Sequence, residues 1–395
     1  MGKKDSEIRI QEPECASREM IGVLVDGLHY FWIGDVRHNL NLNGGDAMKT
    51  RTSLFVAILA PLLALVLTLG VVPQAEAQKT IRLHHLNNDD PLDNATGAMA
   101  TVFKSLVEAG TNGEIRVQTF PNGQLGKDNE VLQQVRAGVI EMGIHTVGGF
   151  ATIYPMMGII DVPFAFPDIA ATYEVFDGPF GQKFAADMEA KTGLKILGFG
   201  DSGGFFHFSN SRRPITTPAD MQGLKIRTMT LDTHQALINS LGGQPAPIAW
   251  AELYTALQTG VADGQMNPIP IIAFAKFEEV QKYLSLTGHL FAPYVWAVNM
   301  NFWNSLSEQE QTIIQNAATS AIVAGRGISR IIEASERGLP ALSKRMEVNA
   351  LTPEQKAEFQ AQAMPAVKQI IADKHGEEGV AMMNAFLEAI EQVGR

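Results

Sequence analysis

The chain has 395 residues, 46% hydrophobic and 18% charged, with a formal net charge of -11. These values exclude a disordered chain, a collagen-like fibre and a polytopic membrane protein, and the length suits two domains. The acidic balance argues against a phosphate-backbone partner, so no nucleic acid is expected, although a local pocket can still be positive and take a small anion. The single cysteine, Cys15, excludes an intrachain disulfide and a zinc site built from several cysteines.

Residues 48–77 read as a secretory signal peptide. Met48 opens a basic stretch with Lys49 and Arg51, an uncharged apolar run follows from Leu54 to Val72, and Ala75-Glu76-Ala77 supplies a small-x-small cleavage site before Gln78. The competing reading is a membrane anchor, because the run is just long enough to span; Pro61, Gly70 and the cleavage site favour removal. Residues 1–47 carry no periodic pattern and are read as a misassigned N-terminal extension, with Met48 as the initiator. N-terminal sequencing of the exported protein checks this: a start near Gln78 is expected, and any retained residue before Met48 would contradict it. The mature chain carries a net charge of -9 and no cysteine.

From Lys79 onward strands and helices alternate. Strands are expected at Lys79–Leu86, Glu114–Phe120 and Ile140–His145, with helices over 93–110 and Asn129–Gly138 between them. Pro121-Asn122-Gly123 marks a turn. Later strands are expected at Leu194–Phe199, Phe205–Ser209, Leu224–Thr228 and Tyr294–Asn299. Ser307-Glu308-Gln309-Glu310 and Thr352-Pro353-Glu354-Gln355 are capping boxes, in which hydroxyl and carboxylate or amide satisfy the orphan amides at a helix start. The first opens a long helix toward Arg337, and the last 44 residues are helical. This alternation predicts an α/β fold with a mostly parallel sheet.

Several motifs suggest chemistry that their context does not support. Gly200-Asp201-Ser202-Gly203-Gly204 spells the nucleophile motif of trypsin-like proteases and also satisfies G-x-S-x-G. Proteases of that kind are all-β, and no helix pattern follows Ser202, so the segment reads as a glycine-rich crossover. His84 and His85 are neighbours on a strand and point to opposite faces. No other histidine pair has metal-ligand spacing, and neither a P-loop nor G-x-G-x-x-G occurs, so no metal and no cofactor are expected.

The informative stretch runs from Pro214 to Pro268. In Leu224-Lys225-Ile226-Arg227 the alternation buries Leu224 and Ile226 on one face and places Lys225 and Arg227 on the other. The bland reading is a surface strand with two cations. The functional one has Arg227 in a cleft, its planar fork clamping a carboxylate through two parallel hydrogen bonds. Trp250 to Gln258 reads as a helix closed by Gly260. Asn267, extended because Pro268 follows it, is either a turn former or an amide that can both donate to and accept from a ligand.

These segments resemble the solute-binding proteins of tripartite ATP-independent periplasmic (TRAP) transporters of the DctP type, over nearly all of 78–395. The resemblance rests on Phe120-Pro121-Asn122-Gly123-Gln124-Leu125-Gly126, Asp161-Val162-Pro163-Phe164-Ala165-Phe166, Pro218 to Arg227 and Glu252 to Pro268. It implies a two-domain periplasmic binding protein, type II-like, with a hinged ligand cleft and long C-terminal helices. Domain I would comprise 78–204 plus 293–332, and domain II 205–292 plus 333–395. It implies capture of a small organic acid, delivery to membrane permease subunits, a periplasmic location and no enzymatic step.

By the same resemblance Arg227 pairs with the solute's carboxylate, Asn267 is its amide partner, and Trp250 places an aromatic ring on the solute. His145 and Thr146 end a strand that lines the cleft. His207 stands where some acid-sugar binders have a second arginine, and Met266 where glutamate is usual. The expected ligand is a monocarboxylate such as a hydroxy or keto acid, with Phe206 adding apolar contact. A dicarboxylate stays open, with protonated His207 as second anchor. Two other readings stay open: a sensor of the same fold docking on a receptor, and a secreted hydrolase using Ser202.

Overall fold

The computed structural model describes residues 78–394. The expected leader, the segment before it and Cys15 lie outside the described residues. Among the described residues no helix is long and apolar enough to cross a membrane.

Two sheets organise the chain. The first contains β1 (Lys79–His84), β2 (Ile115–Phe120), β3 (Met142–Thr146), β4 (Leu194–Gly200) and β10 (Tyr294–Asn299), in the order β2-β1-β3-β10-β4. The second contains β5 (Phe206–Asn210), β6 (Lys225–Thr228), β7 (Gln244–Pro247), β8 (Gly264–Pro268), β9 (Tyr283–Leu286) and β11 (Glu347–Ala350), in the order β11-β9-β5-β8-β6-β7.

Each sheet is mostly parallel, as expected, with a single reversed strand, β10 in the first and β5 in the second. β1 pairs parallel with β2 and β3, but β10 is antiparallel to both β3 and β4. In the second sheet β5 runs antiparallel to β8 and β9. The cause is the chain path. β4 leads directly across to β5 and β9 leads back to β10, so the crossing strands enter each sheet against the direction set by its βαβ units. The two crossings touch in a bridge between Phe205 and Phe291.

Both capping boxes form as the sequence predicts. Ser307 opens the helix Glu308–Ala334 and Thr352 opens Pro353–Val393, which kinks at Gly376. Apolar side chains of the first sheet pack against helices Ala95–Gly110 and Glu308–Ala334, with Phe103 and Trp296 at 4.9 Å between ring centroids. After its kink the last helix lies on the other side of this lobe, where Phe386 meets Phe166, Phe176 and Phe180. Its earlier half packs against helix Asp232–Ser240, which belongs to the second sheet's lobe. The long helix therefore lies against both lobes.

Candidate functional site

Strand direction decides where the cleft lies. β1, β3 and β4 present their C-terminal ends at one edge of the first sheet, and β10, running the other way, starts there: Tyr294 is in register with Thr146 on one side and Gly200 on the other. β6 and β8 bring the C-terminal ends of the second sheet to the same place. The carboxyl ends of strands are where α/β folds bind ligands. Between the two edges is a cavity of about 790 Å³, within the range of small-molecule sites.

Arg227 lines this cavity from β6 and is 4% exposed. The strand does not split into a buried and an exposed face as the alternation suggests: Lys225 is exposed, whereas Arg227 is buried along with Ile226. The Arg227 Nε donates to the Ile248 carbonyl at 2.9 Å. Among the described residues no carboxylate pairs with it, and burial alone lowers its pKa to about 10. A buried cation without a counter-ion is costly, and the open side of this one is the cavity.

Asn267, Trp250 and Phe206 stand on the same wall. The Asn267 amide donates one hydrogen to Gln265 Oε1 at 2.5 Å, leaving a second N–H and the carbonyl oxygen. Trp250 begins helix Trp250–Gln258 and is held edge-on by Phe277 at 6.0 Å.

Thr146 lines the opposite wall. Its hydroxyl donates to Asp128 Oδ2 at 2.7 Å and accepts from the Gly149 amide at 3.0 Å. The single hydroxyl hydrogen is committed, so Thr146 can offer a ligand only a lone pair.

The other two expected residues do not reach the cavity. His145, next on the strand to Thr146, points to the other face and is fully buried, with Nδ1 at 2.7 Å from Asp128 Oδ1. His207 is in register with Asn267, but its Nδ1 accepts from the Gly288 amide at 3.0 Å. Burial, followed by the positive field of Lys356 and Arg330, lowers its pKa to about 3. His207 is thus neutral at ordinary pH and cannot be the second cationic anchor. Met266, expected in place of a glutamate, is buried with its sulfur 3.4 Å from His289 Nε2.

Sequence reasoning missed Asn87, Tyr294 and Asp128, all on the first sheet's wall. Asn87 Nδ2 donates to the Tyr294 hydroxyl at 3.2 Å. Burial, above all, raises the Tyr294 pKa, so the hydroxyl keeps its proton. The available signal was positional: Asn87 follows the end of β1 and Tyr294 starts β10. Asp128 is held below the usual carboxylate range. Burial alone would raise it, but hydrogen bonds from His145 and from the Thr146 amide and hydroxyl outweigh that effect.

The glycine-rich crossover also borders the cavity through Ser202. The Ser202 hydroxyl donates to the Ala292 carbonyl at 2.6 Å. Asp201 Oδ1 accepts from the amides of Gly203 and Gly204. Gly204 has φ +103, and a Cβ there would lie 2.4 Å from Arg330 Nη2, so both backbone and space demand glycine. At the cavity mouth Lys127 pairs with Glu252 of the opposite lobe at 2.9 Å.

The sequence spacing suggested no metal-ligating set. Pairing of β1 with β3 nevertheless brings His84 together with His145 and Asp128 at the cavity wall.

The profile of bacterial extracellular solute-binding protein, family 7 (DctP), matches residues 87–374. The C4-dicarboxylate-binding periplasmic protein DctP of Rhodobacter capsulatus is 32% identical over 86% of this chain and 99% of its own length. The 2,3-diketo-L-gulonate-binding periplasmic protein YiaO of Escherichia coli is 38% identical over 56% of this chain and 67% of its own. The crystal structure of a TRAP periplasmic solute-binding protein from Polaromonas, bound to D-erythronate, superposes with a TM-score of 0.71 at 35% identity, covering 78% of this chain and 98% of that one.

Proposed function

The chain belongs to family 7 of the bacterial extracellular solute-binding proteins, with their two-domain α/β fold, and we propose that it captures a small organic acid through Arg227 for delivery to a TRAP permease. The observation that carries the reading is Arg227 itself: a buried guanidinium, without a counter-ion among the described residues, on the wall of the cavity between the sheets. A carboxylate meets both its charge and its fork geometry. Asn267 supplies the adjacent amide, Trp250 and Phe206 the apolar contact, and Asn87 and Tyr294 polar groups across the cleft.

One unpaired cation among the described lining residues favours a monocarboxylate bearing hydroxyl or keto groups over a dicarboxylate, because His207 offers no second positive charge and Lys127 is paired with Glu252. The action is binding, without a chemical step. Domain I is taken as 78–204 plus 293–332 and domain II as 205–292 plus 333–395. A solute touching both binds the closed form best and so shifts the population toward it, which lets a permease tell loaded from empty protein by shape. The working location is the periplasm, after removal of 48–77.

A thermal-shift screen of the exported protein against small organic acids tests the proposal. A solute at about 100 times its dissociation constant adds roughly 2.7 kcal/mol of stability. A hit expected with wild type should vanish in Arg227→Ala. Equal hits in both proteins would remove Arg227 from the site.

A further inference from the structure

Three buried side chains converge at the cavity wall, Asp128 within it and two histidines behind it. His84 comes from β1, His145 from β3, and Asp128 from the start of helix Asp128–Arg136. The register of β1 with β3 sets His84 beside Gly143, and His145 lies two residues further along β3 on the same face. The His145 ring folds back over Gly143: a Cβ at that position would lie 2.4 Å from His145 Nε2. Glycine leaves the space in which the two imidazoles meet, their centroids 5.8 Å apart. Ligand atoms of all three residues lie within 4.8 Å of one another. Both histidines are 0% exposed and Asp128 is 9% exposed.

The hydrogen-bond account of this group does not close. Asp128 Oδ1 holds His145 at Nδ1, which makes Nδ1 the protonated nitrogen and leaves a lone pair on Nε2. That nitrogen has no partner, and neither has either nitrogen of His84. Buried polar atoms are normally satisfied. Among the described residues, His145 Nε2 and one His84 nitrogen therefore each keep an unshared lone pair.

From this juxtaposition we propose that His84, His145 and Asp128 form a binding site for one divalent transition-metal ion of the Zn²⁺ class, separate from the solute clamp. The two imidazoles are the direct donors, through His145 Nε2 and a His84 nitrogen, and imidazole favours such ions over Mg²⁺ or Ca²⁺. Asp128 supplies the negative charge and orients His145, as carboxylates do behind ligating histidines. The ion would tie β1, β3 and helix Asp128–Arg136 into one unit under the Thr146 wall.

Zinc titration of chelator-stripped, untagged protein tests the proposal, with bound Zn²⁺ read by calorimetry and Co²⁺ by its visible spectrum. The expected result is one ion per chain, with a dissociation constant in the micromolar range or below. His84→Asn and Gly143→Ala should each weaken it at least about tenfold, the second by displacing the His145 ring. His85→Asn should change nothing, since that imidazole faces Asp89 instead. Zn²⁺ in excess should also raise the thermal midpoint of wild type and not that of His84→Asn or Gly143→Ala, a readout within each protein that does not depend on their ligand-free stabilities. Absence of stoichiometric binding by wild type would overturn the proposal, as would either variant binding and stabilising like wild type.

Discussion

Asp128 and Arg227 are both ionic groups buried in the wall of the cavity, one on each lobe, and they differ in what answers them. Asp128 accepts from His145 Nδ1 and from the amide and hydroxyl of Thr146. Arg227 has one backbone carbonyl on Nε and no counter-ion among the described residues. Desolvating a charge is repaid only when partners replace the lost water. The carboxylate is repaid inside the fold, and its pKa falls despite burial. The guanidinium is not, and its pKa falls because of burial. A buried charge fully answered by the protein acts as a joint; one left open toward a cavity is available for recognition.

The comparison predicts opposite consequences for removing each group. Asp128→Ala should cost about 3–5 kcal/mol of folding stability, because it strips three donors of one acceptor; urea unfolding reads it. A loss below about 1 kcal/mol would mean the network is relaxed at little cost. Arg227→Ala should leave ligand-free stability unchanged or higher, yet weaken solute binding by about 2–5 kcal/mol, at least roughly 30-fold. Arg227→Lys should also bind poorly, because an ammonium cannot reproduce the fork. Calorimetric titration of both variants checks this.

A third prediction concerns pH. His84 and His207 are held at about 3 in the folded chain, below the unfolded value near 6.5. The unfolded chain therefore takes up protons first as pH falls. Stability from this source is complete above about pH 6.5 and declines by about 1.4 kcal/mol per pH unit per histidine toward pH 3. His207→Gln should lessen that slope by one proton. Solute affinity, in contrast, should stay flat between roughly pH 5.5 and 8, because no histidine among the described residues lines the cavity. A fall in affinity as pH rises through 6.5 would restore His207 as an anchor.

The smallest effect is expected at the mouth. Lys127 and Glu252 bridge the lobes but are 51% and 58% exposed. Salt screens such a pair. Lys127→Ala should leave affinity unchanged at physiological salt, and any difference should appear only at low ionic strength.

Much of this was legible in the sequence, for reasons that particular residues make plain. β10 fell where Tyr294–Asn299 was expected, and both capping boxes formed, because local patterning and side-chain chemistry determine them. Arg227, Asn267 and Trp250 reach the cavity because each sits at a strand end or helix start, which a sequence pattern can locate. The reversed strands were not legible: that β10 runs antiparallel between β3 and β4 depends on a return crossing from the other sheet. His207 was misplaced because a strand residue's face is set by its partners, here β8 and the Gly288 loop. The approach of His84 to His145, 61 positions apart in the chain, is likewise a product of sheet pairing that no spacing motif encodes.

The central claim, that Arg227 is left open to receive a carboxylate, is tested most directly by comparing an acid that binds with its own primary amide. The two differ little in shape and differ by one charge. Calorimetry should show the acid bound at least roughly 30-fold more tightly by wild type, and the difference should collapse in Arg227→Ala. Equal affinity for acid and amide in wild type would contradict the account, because it would mean that the buried guanidinium does not read the charge of the solute.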